Sequence, residues 1–428
     1  MPLDIVKGEQ WGDEGKANII NFLLKHFRYK YCLRFQGGDN AGGTAWVRNL
    51  ITGLMQKFVH HLVPPGVFYD DTICILTAGV TVNPESLAAE LAAINALGYS
   101  TENVLISARC PVILPSNRLL DSLDKGGKLG TAEIGTTGKG IGPTYEYFFS
   151  RHYSLCVQEV VENSESVLRA NLARSLTIKN LILNHFGLPS VTVDQEYDFL
   201  MQYRDVLAKH MHKDVTGLIN DALKAGEEMV GYIAHGTELC VGNGTRPFVT
   251  SSFCTTGAAC VYAGIPPQAI RHVYGIFKAY PTRVDAGFSP FPTEIFGELA
   301  EDLRRRGHEY GSTTGRPRRV GWLDLAQLRH AFTVDGVTHP VMTKMDVLNG
   351  FGKVYINSHY LMPDGSKLDH FVAEKAAEFK AVNDIEFDGW DFFGDPEAKR
   401  FIRCIEDQLG RIALISLGPS IDDVFFRA

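Results

Sequence analysis

A chain of 428 residues and 47.3 kDa, with 42 Lys+Arg against 49 Asp+Glu and a net charge of −7, advertises no basic surface for nucleic acid. At 45% hydrophobic and 21% charged residues the composition excludes a disordered chain and fits one with a large core. No run approaches the ~18 apolar residues of a membrane span. The start, Met1-Pro2-Leu3-Asp4, lacks the basic and apolar regions of a signal peptide, so the expectation is a cytoplasmic protein. The eight cysteines are scattered, without Cys-x-x-Cys or a paired His spacing, and are expected to be reduced, buried thiols rather than zinc ligands.

In chain order, a short strand at 4–7 runs into the glycine-rich Gly8-Glu9-Gln10-Trp11-Gly12-Asp13-Glu14-Gly15-Lys16, and a helix follows over about 17–26. A strand, a glycine-rich turn, a lysine and a helix N-terminus make a phosphate cradle, with backbone N–H groups facing an anion. The turn is not a Walker A loop, because Ala17 stands where Ser or Thr would hold Mg²⁺. Asp13 is placed to coordinate a metal or to act as a base. A strand at 31–35 leads to the glycines of 37–44, and another strand is expected at 72–77. Asn83 caps a helix that Pro84 opens, Leu87, Leu91 and Ile94 line and Gly98 stops. Beyond a strand at 103–107, seven of the 17 residues from Gly126 to Gly142 are glycine, a density that suits either a surface loop or backbone pressed close to phosphate.

A strand at 229–233 follows, and Gly311-Ser312-Thr313-Thr314-Gly315-Arg316-Pro317-Arg318-Arg319 then sets arginines beside hydroxyls, suited to bidentate capture of a small carboxylate. Thr343-Lys344-Met345-Asp346 has the x-Lys-x-Asp form that reads guanine: a carboxylate accepts from N1–H and the 2-amino group, a pattern adenine does not offer. After a last strand at 412–416, Ser416-Leu417-Gly418-Pro419 supplies a second loop for the base. Each motif alone also fits an ordinary solvated turn. The alternation of strand and helix predicts an α/β fold: one large domain over residues 1–428, around a mostly parallel sheet with a P-loop-like GTP-binding architecture.

Taken in order, these segments resemble the adenylosuccinate synthetase family. The resemblance is carried by 10–16, Gln36-Gly37-Gly38-Asp39-Asn40-Ala41-Gly42, Ile134–Pro143, Val249-Thr250-Ser251-Ser252, Thr282-Arg283-Val284, Phe291-Pro292-Thr293-Glu294, Thr313–Arg316, Gly321-Trp322-Leu323-Asp324 and Thr343–Asp346. It implies a ligase that joins L-aspartate to C6 of IMP at the expense of GTP, through a 6-phosphoryl intermediate. In that role Asp13 is the base at N1 and, with the Gly42 carbonyl, a Mg²⁺ ligand. Gly12, Gly15, Lys16 and Thr44 serve the GTP phosphates, and Lys344, Asp346, Ser416 and Gly418 the guanine. Asn40, Thr137 and Thr250 hold IMP, Thr314, Arg316 and Arg318 hold aspartate, and Arg151 reaches a neighbouring subunit's IMP in a homodimer.

The departures from the family pattern fall at the reacting atoms. Its Asn-Ala-Gly-His-Thr loop ends Gly42-Gly43-Thr44 here, its Gly-Lys after the turn lysine is Ala17-Asn18, and its base-facing Gln is His235. His235, with a pKa expected near neutrality, is therefore assigned either the lost loop histidine's catalytic work or the reading of a different base edge. Two alternatives accompany the main expectation: the same chemistry on another 6-oxopurine nucleotide, and a GTP-binding regulatory protein with weak ligase activity.

Overall fold

The computed structural model describes residues 2–124, 134–151, 154–284, 287, 289–311 and 315–427. Ten strands form its central sheet: β1 (Leu3–Gly8), β2 (Tyr31–Gly37), β3 (Ile73–Val80), β4 (Val104–Ser107), β5 (Met211–His212), β6 (Met229–Gly236), β7 (Ile270–Lys278), β8 (His339–Thr343), β9 (Leu414–Ser416) and β10 (Val424–Phe426). Their spatial order is β10-β9-β8-β7-β1-β6-β2-β3-β4-β5, and every pair is parallel except β9 with β10. All six strands expected from the sequence are present, β3 shifted towards its C-terminal end, and the mostly parallel α/β architecture holds.

Parallel strands covered on both faces read as continuous apolar runs, and every residue of β1 and β2 is buried. Alternation sends neighbours to opposite sides. Val6, Cys32, Leu76 and Ile106 pack with Ile19 and Leu23 of α1 (Lys16–His26) and Leu87 of α2 (Pro84–Ala96). Ile5, Leu33, Phe35 and Ile75 pack on the other face with Ile219 and Ala259. α2 is built as its sequence says: the Asn83 side chain accepts from the Ser86 N–H, Leu87, Leu91 and Ile94 face inward, and Gly98 takes φ 89° just past the end. Such a cap is worth about 1 kcal/mol. All eight cysteines are free; five are buried, and Cys156, Cys260 and Cys404 are only half-buried. Among the described residues no helix is long and apolar enough to cross a membrane.

Beneath the C-terminal end of β6 lies a buried acid. Gln327 Nε2 donates to Glu238 Oε1 at 2.9 Å, and burial pushes the Glu238 carboxyl up to about 8, against the pull of Gln327 and Arg283. A carboxyl raised in the folded state stabilises fully below its ordinary 4.5 and loses that contribution as pH climbs to about 8. Glu238→Gln mimics the protonated acid at all pH. Its melting temperature should therefore gain on the parent's by about 1.5 °C per pH unit from pH 5 to 8. A difference that stays constant with pH in calorimetric scans would show that Glu238 is ionised in the fold.

Candidate active site

The turn after β1 is shaped by left-handed backbone. Gly12 and Gly15 both take φ 88°, and Asp13 takes φ 61°, a conformation that Asp and Asn tolerate better than other side chains. The turn closes around Glu14. Glu14 Oε1 accepts from the Gly12 N–H at 2.8 Å and the Gln10 N–H at 3.2 Å, and Oε2 pairs with Lys16 Nζ at 2.5 Å. A Cβ at Gly8 would lie 2.1 Å from Glu14 Oε2, so glycine is required there for the carboxylate to enter. The sequence pattern assigned the Gly12 amide and Lys16 to phosphate. In the fold the Gly12 amide is committed to Glu14, and Lys16 is shared with it.

The guanine-type turn sits alongside. Thr343 pairs in register with Ser416 across β8 and β9, which brings 343–346 and 416–419 to the same end of the sheet. Thr343 Oγ1 donates to the Glu14 carbonyl at 2.9 Å and so ties this turn to the glycine turn. Lys344, at φ 63°, donates from Nζ to the Gly307 carbonyl at 2.8 Å. Asp346 Oδ1 is buried and has no hydrogen-bond partner among the described residues, and burial raises its carboxyl while Lys344 opposes the rise. Such an oxygen is costly unless something donates to it. Ser416 Oγ donates to the Gly418 carbonyl at 3.1 Å, and Gly418 abuts Asp423.

On the β2 side, Asn40 Oδ1 accepts from the Gly38 N–H at 3.3 Å, and Asn40 Nδ2 stands 3.4 Å from His235 Nε2. His235 has φ 66° at the end of β6. Its expected near-neutral pKa is corrected: burial first, then Lys16 and Arg34, pushes the ring down to about 3. His235 is therefore a neutral imidazole at physiological pH. Gly42 leads into the hairpin of Gly43–Arg48 with Met55–His60, in which Thr44 is half-buried. A Cβ on Gly43 would come within 3.1 Å of Ala17 Cβ, so the two departures from the family pattern face each other.

Arg318 links the remaining parts. Its Nε lies 2.9 Å from Asp13 Oδ2, and its Nη1 lies 2.7 Å from Glu309 Oε2. Glu309 is buried and also accepts from Tyr280 OH at 2.8 Å, with Lys278 Nζ at 3.4 Å. Burial would raise the Glu309 carboxyl, but Lys278, Arg318 and Lys344 outweigh it and bring it down to about 2. Arg316, Thr137 and Arg151 are exposed, Thr250 is half-buried, and Arg151 closes the helix Ile141–Ser150 at φ 69°. Thr314 and residues 126–133 of the glycine-rich segment lie outside the described residues. The fold thus joins Asp13 to Arg318, Asn40 to His235 and Thr343 to Glu14. Glu14, Glu309, Lys278 and Tyr280 were not anticipated; Glu14 at least sits inside a motif, whereas the other three stand in no pattern.

Comparison with known proteins extends these observations over the full length. The family model described as adenylosuccinate synthetase matches residues 5–425. The adenylosuccinate synthetase of Tropheryma whipplei (strain Twist) is 36% identical over 438 residues, covering 100% of this chain and 99% of the relative. That of Lactococcus lactis subsp. lactis is 38% identical over 432 residues, covering 98% and 97%. The fully ligated adenylosuccinate synthetase structure from Plasmodium falciparum superposes with a TM-score of 0.88 at 29% identity, over 100% of both chains. A cyanophage S-2L succinoaminodeoxyadenylate synthetase, bound to dGMP and dATP, shares the fold at a TM-score of 0.67 and 17% identity, over 99% of this chain and 95% of its own. Because the agreement runs from end to end and takes in the turns that carry Asp13, Arg318 and Asp346, the chain belongs to the adenylosuccinate synthetase family.

Proposed function

We propose that the chain joins L-aspartate to C6 of IMP with GTP as the energy source, releasing adenylosuccinate, GDP and phosphate. The observation that supports this best is the 2.9 Å contact between Arg318 and Asp13, the arginine proposed for the amino acid beside the carboxylate proposed as the base. Asp13 removes the N1 proton of IMP. The O6 anion attacks the γ-phosphorus, and the bond to the bridging oxygen breaks to leave GDP. The aspartate amine then adds at C6, and phosphate departs with the former O6. Displacing oxide from C6 directly is prohibitive, so the phosphorylation converts it into a leaving group. Positioning, and charge neutralisation by Lys16, carry most of the rate.

Asp13 and the Gly42 carbonyl are the proposed Mg²⁺ ligands. One carboxylate plus one carbonyl suits an ion that keeps waters and substrate phosphates as its other ligands, and the turn leaves Asp13 a third exposed. When bound, the ion spreads the charge of the phosphoryl oxygens. Asn40, Thr137 and Thr250 hold IMP, and His235 addresses the 6-oxo edge of the base as a neutral ring. Arg318, with Arg316 and Thr314, receives the aspartate carboxylate. Arg151 completes the site of a second copy in a homodimer, in the cytoplasm.

Lys344 and Asp346, with Ser416 and Gly418, select guanine. Asp346→Ala should weaken GTP by about 2–3 kcal/mol, because two charge-assisted hydrogen bonds vanish. An unchanged GTP KM would remove Asp346 from the base site.

Gly43 and His235 favour a second reading, the same chemistry on a different 6-oxopurine nucleotide. Protein, GTP, Mg²⁺ and L-aspartate are mixed in turn with IMP, GMP and dGMP, and phosphate release and nucleotide absorbance are followed. Product with IMP supports the first reading. Product with another nucleotide alone supports the second. Binding without phosphate release would make the chain a regulatory protein.

A further inference from the structure

Arg318 is flanked by two carboxylates of its own chain: Nη1 donates to Glu309, whereas Nε lies 2.9 Å from Asp13 Oδ2 without a hydrogen bond there. Glu309 is buried and fixed by Tyr280 and Lys278, so it is a permanent anchor. Asp13 is different: its side chain is 34% exposed and reaches Arg318 through a single 2.9 Å contact, on a turn held open by left-handed backbone. A guanidinium fork that is anchored at one edge and loosely capped at the other is arranged for exchange of one carboxylate for another.

We infer that Asp13 is an internal occupant of the amino-acid subsite, and that the incoming dicarboxylate seats itself by taking Asp13's place on Arg318, with buried Glu309 as the residue that positions the fork. This rests on Arg318 being the amino-acid site proposed above. The exchange frees Asp13 Oδ2 in the event that seats the amino acid, so arrival of one substrate exposes the carboxylate that acts on the other. Glu309 touches neither substrate; it acts through Arg318.

The inference makes a counterintuitive demand: weakening the internal occupant strengthens binding. L-Aspartate is titrated calorimetrically into protein saturated with IMP, without GTP, so that no turnover occurs. Asp13→Asn keeps the size of the side chain and tolerates φ 61°. It should bind L-aspartate about fivefold more tightly than the parent, the ceiling for a partly exposed ion pair. The gain should be absent in an Arg318→Leu background. Glu309→Gln should weaken L-aspartate about tenfold with IMP affinity unchanged, and Glu309→Asp should recover part of the loss. If Glu309→Gln does not fold, the Asp13→Asn measurement decides alone. Equal or weaker binding by Asp13→Asn overturns the inference, as does a gain that persists without Arg318. If Arg318→Leu itself binds L-aspartate normally, the subsite assignment fails instead. If Arg318→Leu binds poorly while Asp13→Asn shows no gain, the exchange alone is wrong.

Discussion

Asp13→Asn is expected to lower kcat by about 10³-fold or more while the KM for GTP stays within a few-fold. Removing a general base typically costs 10²–10⁴-fold, and this carboxylate is also the proposed ligand for the ion that offsets phosphoryl charge. The substitution is otherwise gentle. Asn accepts the left-handed backbone at φ 61°, and its amide keeps the same size beside Arg318 Nε. What disappears is charge and basicity, so a folding defect is not the expected cause. Guanine recognition is proposed for Asp346, on the turn after β8, and should not change. Single-turnover measurement of phosphate release gives the chemical step directly. A kcat within tenfold of the parent would remove Asp13 from the role of base.

Arg318→Leu should raise the KM for L-aspartate by about 10²- to 10³-fold and leave the KM values for GTP and IMP nearly unchanged, because a bidentate carboxylate contact is lost and only the exposed Arg316 is left to offer a second one. The variant also strips Glu309 of one of its cations. Breaking a buried pair by removing one partner costs several kcal/mol in unfavourable cases, so the melting temperature is measured alongside. Lys278 and Tyr280 still hold Glu309, which limits that cost. Arg318→Lys separates the two effects: it keeps the charge beside Glu309 but loses the fork, so it should restore stability and not the aspartate KM. A uniform rise in all three KM values would assign Arg318 to the framework of the site.

Much of the fold was legible because the strands that cross the middle of the sheet are continuous apolar runs. β7 was not: Arg271 and His272 near its start and Gly275 in its centre break the pattern, although its C-terminal half is buried. Arg271 is there to pair with Asp4 and Glu228, a demand set by residues distant in sequence. The candidate site divides in the same way. Asp13, Lys344, Asp346 and Arg318 stood out because each lies in a short pattern with its own chemistry. Glu309 is an isolated acid next to a tyrosine, and only the fold carries it under Arg318. His235 was identifiable as a change at a base-facing position, but its protonation state depends on burial beside Lys16 and Arg34, which no spacing reveals. The closeness of Ala17 to the place a side chain at 43 would take likewise links two separate departures. A histidine installed at 43 therefore asks Ala17 to give by a few tenths of an ångström, room that Ala17→Gly would supply.

The position of β1 has a consequence for how the chain is made. Its two neighbours in the sheet, β6 and β7, comprise residues 229–236 and 270–278. β1 thus leaves the ribosome more than 200 residues ahead of either partner, a wait on the order of 10–55 s at about 5–20 residues per second. Throughout that interval the apolar edge of β1 and the turn bearing Asp13 have nothing to close against. The nascent chain carries an open edge that only chaperones or its own later segments can cover. Assembly of the turn that bears Asp13 is therefore a late event in the birth of this protein, although the turn is translated well before either strand that closes on it.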